Sequence, residues 1–177
     1  MAEYGIVTEP QTVRIERVLP GPIERVWAFL TDSEKRGKWL AAGELEPRVG
    51  GRVELHFLHS TLSHEPLPKR YEVMRDGHRH LGHVTRYEPP HALSYTWAEQ
   101  TGAPSEVSFE LSERGTEVLL VLTHRRLTTR ADRVSVASGW DTHLGILDDQ
   151  LSGHAPRGFW STHARLEAEY EQRLPRD

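Results

Sequence analysis

The sequence predicts an α+β fold in which a curved antiparallel sheet of about six or seven strands lies against one long C-terminal helix. Three observations carry that expectation. Val136, Trp140, Leu144, Leu147 and Leu151 recur at steps of four and three, the spacing of one buried helical stripe. Upstream, segment after segment alternates apolar and polar residues, as Leu93, Tyr95 and Trp97 do against Ala92, Ser94 and Thr96. The connections between these segments are short, which suits antiparallel neighbours better than crossover helices.

In chain order, residues 1–11 form a loose lead-in. A strand follows from Thr12 to Leu19, with Val13, Ile15, Arg17 and Leu19 on one face. Arg17 is the outlier there, either a strand-end cation snorkelling to water or a cationic group at the rim of a cavity. Pro20-Gly21-Pro22 turns the chain into a helix, with Pro22 at its first position and Glu24 favouring its N-terminal dipole. Thr31 with Glu34 signals a second short helix that Gly37 ends, and Trp39 comes directly after it. Leu45–Val49 and Arg52–Leu58 are expected as a hairpin around Gly50-Gly51, placing Val53, Leu55 and Phe57 on one face. The pattern lapses over 59–77 apart from a short helix in LPKRYEVMRDG, and a loop of this length is functional or mobile.

Further strands are expected at His83–Tyr87, Leu93–Trp97 and Ser105–Leu111. Val118–Leu122 is apolar on both faces and therefore internal to the sheet. The long helix runs from Arg130 to the stop at Gly153, with Thr129 and Asp132 as its capping pair. Asp141, Gly145 and Asp148 fall on its far side, and Asp148-Asp149 suit solvation. Phe159, His163, Leu166 and Tyr170 mark an additional terminal helix within 155–174.

Composition narrows the function. The 177 residues suit a single domain, with 27% charged and 37% hydrophobic residues. A formal charge of −4 gives no reason to expect nucleic acid or an anionic membrane as partner. No apolar run is long enough for membrane insertion, and MAEYGIVTEP lacks the features of a signal peptide. Cysteine is absent, which excludes disulfides, thiolate catalysis and cysteine-bound zinc and fits a cytoplasmic protein. No cofactor is expected, because there is no phosphate-binding glycine loop, nor is there a G-x-S-x-G nucleophile elbow. The 11 histidines raise the question of metal. His78-Arg79-His80 with His83 is the densest group; His78 and His80 can share a strand face, but His83 points away and no carboxylate pair completes a site. Exposed histidines, with no bound metal, are the expectation.

Several motifs in fixed order carry a family likeness: R-x-L-P-G-P-x-E-R-V-W-A-F-L-T-D from Arg17 to Asp32, then Trp39, Gly50-Gly51, G-H-V-T-R-Y-E-P-P from Gly82 to Pro90, L-S-Y-T-W from Leu93 to Trp97, L-T-H from Leu122 to His124 and G-W-D-T-H-L from Gly139 to Leu144. Over a core of 12–152 the chain resembles the bacterial single-domain proteins named after the activator of Hsp90 ATPase, in the START-like or SRPBCC superfamily. The resemblance implies a helix-grip fold, a curved sheet wrapped around the C-terminal helix with a cavity between them. The eukaryotic co-chaperones behind the family name carry an additional N-terminal domain that binds Hsp90. The strand pattern here starts by Thr12, so Hsp90 binding is not expected.

The candidate site lies inside the grip. Trp140 and His143 on the helix, with Leu144 and Leu147, face Tyr95 and Trp97 on the sheet, while Phe57 and Arg17 close the sides and Trp39 stands near the mouth. A mainly apolar cavity with a few polar groups suits a small hydrophobic or amphipathic molecule, with 59–77 as part of the entrance. Two alternatives share these residues: a core that the aromatics simply fill, and a polyketide-cyclase or hydrolase type of enzyme with His143 as general acid or base. A third is a stress-related chaperone partner, or a homodimer through an exposed Phe159/Leu166/Tyr170 stripe.

Overall fold

Seven antiparallel strands in the spatial order β1-β2-β7-β6-β5-β4-β3 form one sheet in the computed structural model, which describes residues 3–177. The strands are β1 (Ile6–Glu9), β2 (Thr12–Pro20), β3 (Arg52–Phe57), β4 (His78–Glu88), β5 (Ala92–Trp97), β6 (Ser105–Arg114) and β7 (Glu117–Arg125). Helices α1 (Ile23–Thr31) and α2 (Ser33–Gly37) follow β2, and α3 (Arg130–Ser152) and α4 (Phe159–Arg173) end the chain. Short 3₁₀ turns punctuate the loop before β4 at His59–Thr61 and Lys69–Met74. This is the α+β helix-grip architecture: the sheet curves round α3, and α4 packs on the opposite side of α3.

The capping chemistry fixes the helix bounds. Thr129 Oγ1 accepts a hydrogen bond from the Asp132 amide at 3.0 Å, and Gly153 takes a left-handed φ of +73° at the other end of α3. In α2 the cap is Asp32, which accepts from the Lys35 amide at 2.9 Å, one residue later than the Thr31 spacing suggests. Trp140, Leu144, Leu147 and Leu151 of the α3 stripe are buried against the sheet. β7, with neighbours on both sides, is internal as its two apolar faces require.

Four local expectations are corrected. Residues 6–9 of the lead-in form an edge strand, Ile6 lying opposite Arg14. Leu45–Val49 is not a strand: within it only Leu45 bridges to β3, opposite Val53, because Pro47 has no amide to continue the ladder. β4 begins at His78 rather than His83, since residues 78–83 pair along the whole of β3. The far side of α3 is covered, not solvated. Asp141 and Asp149 are both buried there, the latter held by Arg157 at 2.8 and 2.9 Å.

Candidate functional site

A cavity of about 690 Å³ opens between β3, β4, β5, the Lys69–Met74 turn, α3 and α4. Its sheet wall is made by alternate residues. Phe57 ends β3, His78 and His80 point inward from β4, and Trp97 ends β5. Phe57 stacks on His78 with ring centroids 4.9 Å apart and an interplanar angle of 6°. His80 lies 4.8 Å from Trp97, whose indole in turn meets Trp140 at 5.1 Å. The helical wall comes from Trp140 and His143 of α3 and from Phe159, Trp160 and His163 of α4, with His59 wedged between the two walls.

Of the nine residues expected at the site, Phe57, Trp97, Trp140 and His143 line the cavity together. Tyr95, Leu144 and Leu147 are fully buried behind that lining. Trp39 is not at the mouth; its side chain is completely buried and its Nε1 donates to the Phe29 carbonyl at 2.7 Å. Arg17 is neither snorkelling nor on the cavity rim. Its Nη2 donates to Asp141 Oδ1 at 2.7 Å, and Asp141 Oδ2 accepts from the Tyr170 hydroxyl at 2.6 Å. A carboxylate on the far side of α3 thereby joins β2 to α4.

Residues that the pattern reading placed elsewhere complete the site. His78 and His80 are half-buried in the cavity wall rather than exposed, and His59 is buried. A usable signal was present: counting histidine as the inward member makes His78, His80, Gly82 and Val84 one alternating face. The Phe159/Leu166/Tyr170 stripe is buried within its own chain, which removes the exposed surface expected for a homodimer.

Loop and helix hold each other at the entrance. Ser63 Oγ accepts from the Phe159 amide and Glu65 Oε1 from the Ser161 amide, both at 3.0 Å, so the 59–77 segment satisfies the free amides at the start of α4. Any side chain at Gly158 would collide with that Glu65 carboxylate. Across the mouth Tyr71 stacks on Trp160 at 4.7 Å, and Arg70 grips Glu167 through two hydrogen bonds of 2.7 and 3.2 Å.

Burial keeps the histidines neutral. It lowers the pKa of His143 and His124 to about 3 and of His59 and His80 to about 4, and it also lowers His78 and His163. His124 Nδ1 accepts from the Trp140 indole N–H at 2.9 Å, so the ring's proton sits on Nε2 and is donated to Ser105 Oγ at 2.6 Å. The serine therefore faces a donor, not a base. This pair is not an activated nucleophile. Among the described residues no group of three or more histidine and acidic side chains is arranged to hold a metal ion.

The profile of the family described as "Activator of Hsp90 ATPase homolog 1-like protein" matches residues 20–152. A solution NMR structure of the protein encoded by gene BPP1335 from Bordetella parapertussis is similar at 49% identity and a TM-score of 0.83, covering 98% of this chain and 91% of that one. The crystal structure of CalU16 from Micromonospora echinospora matches at 23% identity and TM-score 0.69, covering 90% and 86% of the two chains; this likeness concerns the fold alone. Protein MLL2253 from Mesorhizobium loti matches at 26% identity and TM-score 0.61, over 81% of this chain and 98% of its own. A comparison with curated proteins yields no match.

Proposed function

Because the chain belongs to the family of Activator of Hsp90 ATPase homolog 1-like proteins, we propose that it binds a small hydrophobic or amphipathic molecule in the cavity between sheet, α3 and α4. The observation that carries this reading is the cavity itself. Its volume of about 690 Å³ falls in the range of small-molecule sites, and its lining is mainly aromatic with neutral imidazoles, the charged Arg70 and Glu167 lying across the mouth. An aromatic core closed on itself would leave no such space. In this reading Phe57, Trp97, Trp140 and His143 touch the occupant, while Tyr95, Leu144, Leu147 and Trp39 hold the wall behind them and Arg17 acts only through α4.

Residues 1–177 act as one domain in the cytoplasm, an assignment supported by the lack of cysteine. No helix among the described residues is long and apolar enough to cross a membrane. The cyclase or hydrolase alternative has less support, since burial lowers the pKa of its general acid or base, His143, to about 3, and Arg17 is committed to Asp141 away from the cavity. Native mass spectrometry of gently purified protein, followed by solvent extraction, tests the binding reading. A stoichiometric small molecule is expected. An empty protein whose tryptophan fluorescence is also unchanged by millimolar apolar aromatics would overturn it.

A further inference from the structure

The tautomer of His143 determines what the cavity can recognise. His143 Nδ1 lies 2.8 Å from the Trp39 carbonyl oxygen, a pure acceptor, so Nδ1 carries the ring proton and donates it. The ring is buried and neutral, which leaves Nε2 as a bare lone pair with no hydrogen-bond partner among the described residues. Since the ring lines the cavity and Nδ1 is tied up behind it, Nε2 is the polar atom that His143 offers to an occupant.

Three more imidazoles surround the same space without partners. Nδ1 of His59, His78 and His80 is buried and makes no hydrogen bond among the described residues, and His59 is only 8% exposed. A buried polar atom left unpaired costs about 1–3 kcal/mol, so three such rings beside the His143 lone pair are unusual in one wall unless something else completes them. Metal is one completion, but these rings lean on one another and on Phe57 and are not disposed around a common point. A carboxylate is another, but neutral imidazoles supply no countercharge, and the one guanidinium in the lining, Arg70, is already paired with Glu167. A hydroxyl group suits the wall best. It donates to a bare nitrogen and accepts from a protonated one, so it serves either tautomer.

We infer that the cavity selects a flat aromatic molecule bearing at least one uncharged hydroxyl, whose O–H donates to His143 Nε2 while the ring lies among Phe57, Trp97 and Trp140. This deepens the binding reading and rests on it.

Tryptophan quenching at neutral pH with three probes of the same ring system separates the two ideas: 2-naphthol, 2-methoxynaphthalene and 2-naphthoate. The first keeps its proton there, as phenols do. 2-Naphthol should bind about tenfold more tightly than 2-methoxynaphthalene, the effect of one hydrogen bond to an otherwise unpaired buried acceptor, and more tightly than 2-naphthoate. Failure of all three to bind would overturn the binding reading. Equal affinity of the naphthol and its methyl ether, or a preference for the carboxylate, would overturn the hydroxyl inference and leave binding intact. In His143→Phe the naphthol preference should fall to less than about twofold, whatever the affinity for 2-methoxynaphthalene; a surviving preference would remove His143 from the role. Nitrogen-15 NMR of the unaltered protein tests the same bond without a variant. The pyridine-type Nε2 resonance of His143 should move on adding 2-naphthol and stay still with the methyl ether, and an unmoved resonance with naphthol would also refute the assignment.

Discussion

At the residue scale the behaviour of the protein turns on histidines kept neutral by burial. His143 and His124 titrate near 3 and His59 and His80 near 4 in the fold, against an ordinary value of 6.5. Between those values the unfolded chain takes up protons that the folded chain does not. Stability is therefore fully present above about pH 6.5 and falls as the pH drops towards the folded values. Each such group contributes a slope of about 1.4 kcal/mol per pH unit. Chemical denaturation at about pH 7 and about pH 5, above the range where carboxylates titrate, should show a marked loss at the lower value, and His143→Phe should reduce the loss by one group's share. An unchanged midpoint would refute the neutral cluster. Trp140 poses a different test. Its indole is buried against Trp97 and Phe109 and supplies the N–H that pairs His124, so Trp140→Ala should cost about 3–5 kcal/mol in the same assay. A loss below about 1 kcal/mol would mean that the site relaxes around the deletion. Trp140, Trp97, Phe57 and His143 were legible because each sits at a periodic position in a clear stripe. His59, His78 and His80 were not, since polarity suggested exposure and only the tertiary wall shows that these rings serve as packing surface.

At the element scale the instructive case is α4. Its existence follows from the Phe159, His163, Leu166 and Tyr170 spacing, but its place does not, because a stripe reveals that a face is buried and not what buries it. The structure puts that face on α3 and ties it down by a buried hydrogen-bond chain, besides the Arg130 bonds to Glu171 and Leu174. The Gly5 amide donates to the Tyr170 hydroxyl at 2.7 Å, the hydroxyl to Asp141, and Arg17 to the other oxygen of that carboxylate. Burial and the Asp141 charge hold the Tyr170 phenol protonated, in the donor form that the chain needs. This also accounts for Arg17, which shares an apolar strand face because its partner descends from the helix above. Tyr170→Phe keeps the packing and leaves a buried amide and a carboxylate oxygen without their partner. The expected cost is about 1–3 kcal/mol, read as a lower urea midpoint with an unchanged slope. A variant as stable as the parent would show that water replaces the hydroxyl and that the chain does not hold α4 in place. The hairpin expected at Gly50-Gly51 is formed only in part: the Glu46 amide donates to the Arg52 carbonyl and the Glu54 amide to the Glu44 carbonyl, but Pro47 breaks the ladder and the glycine turn also bonds to Val84.

At the scale of the whole molecule, the sheet and α3 form a frame, and the cavity's outer side is a second layer made by 59–77 and α4. The sheet was legible because it repeats a simple alternation. The second layer was not, because its order comes from long-range contacts such as Ser63 to Phe159, Glu65 to Ser161 and Tyr71 to Trp160. Several of these contacts are single hydrogen bonds, and the mouth is also bridged by an exposed ion pair, which contributes little stability in water. Such a layer should open locally without unfolding the frame. Amide hydrogen exchange should therefore be faster in 59–77 and the first turns of α4 than in β7 or the middle of α3. An occupant held between the layers must leave before they part. At about 100 times its Kd, 2-naphthol should slow exchange in 59–77 and early α4 by up to about a hundredfold, the full linkage effect, while amides in β1 that open by edge fraying stay unchanged. Slowing confined to the sheet, with none in 59–77, would place the occupant somewhere other than behind this layer. Slowing in 59–77 and α4 together would identify them as the door through which the cavity exchanges its contents.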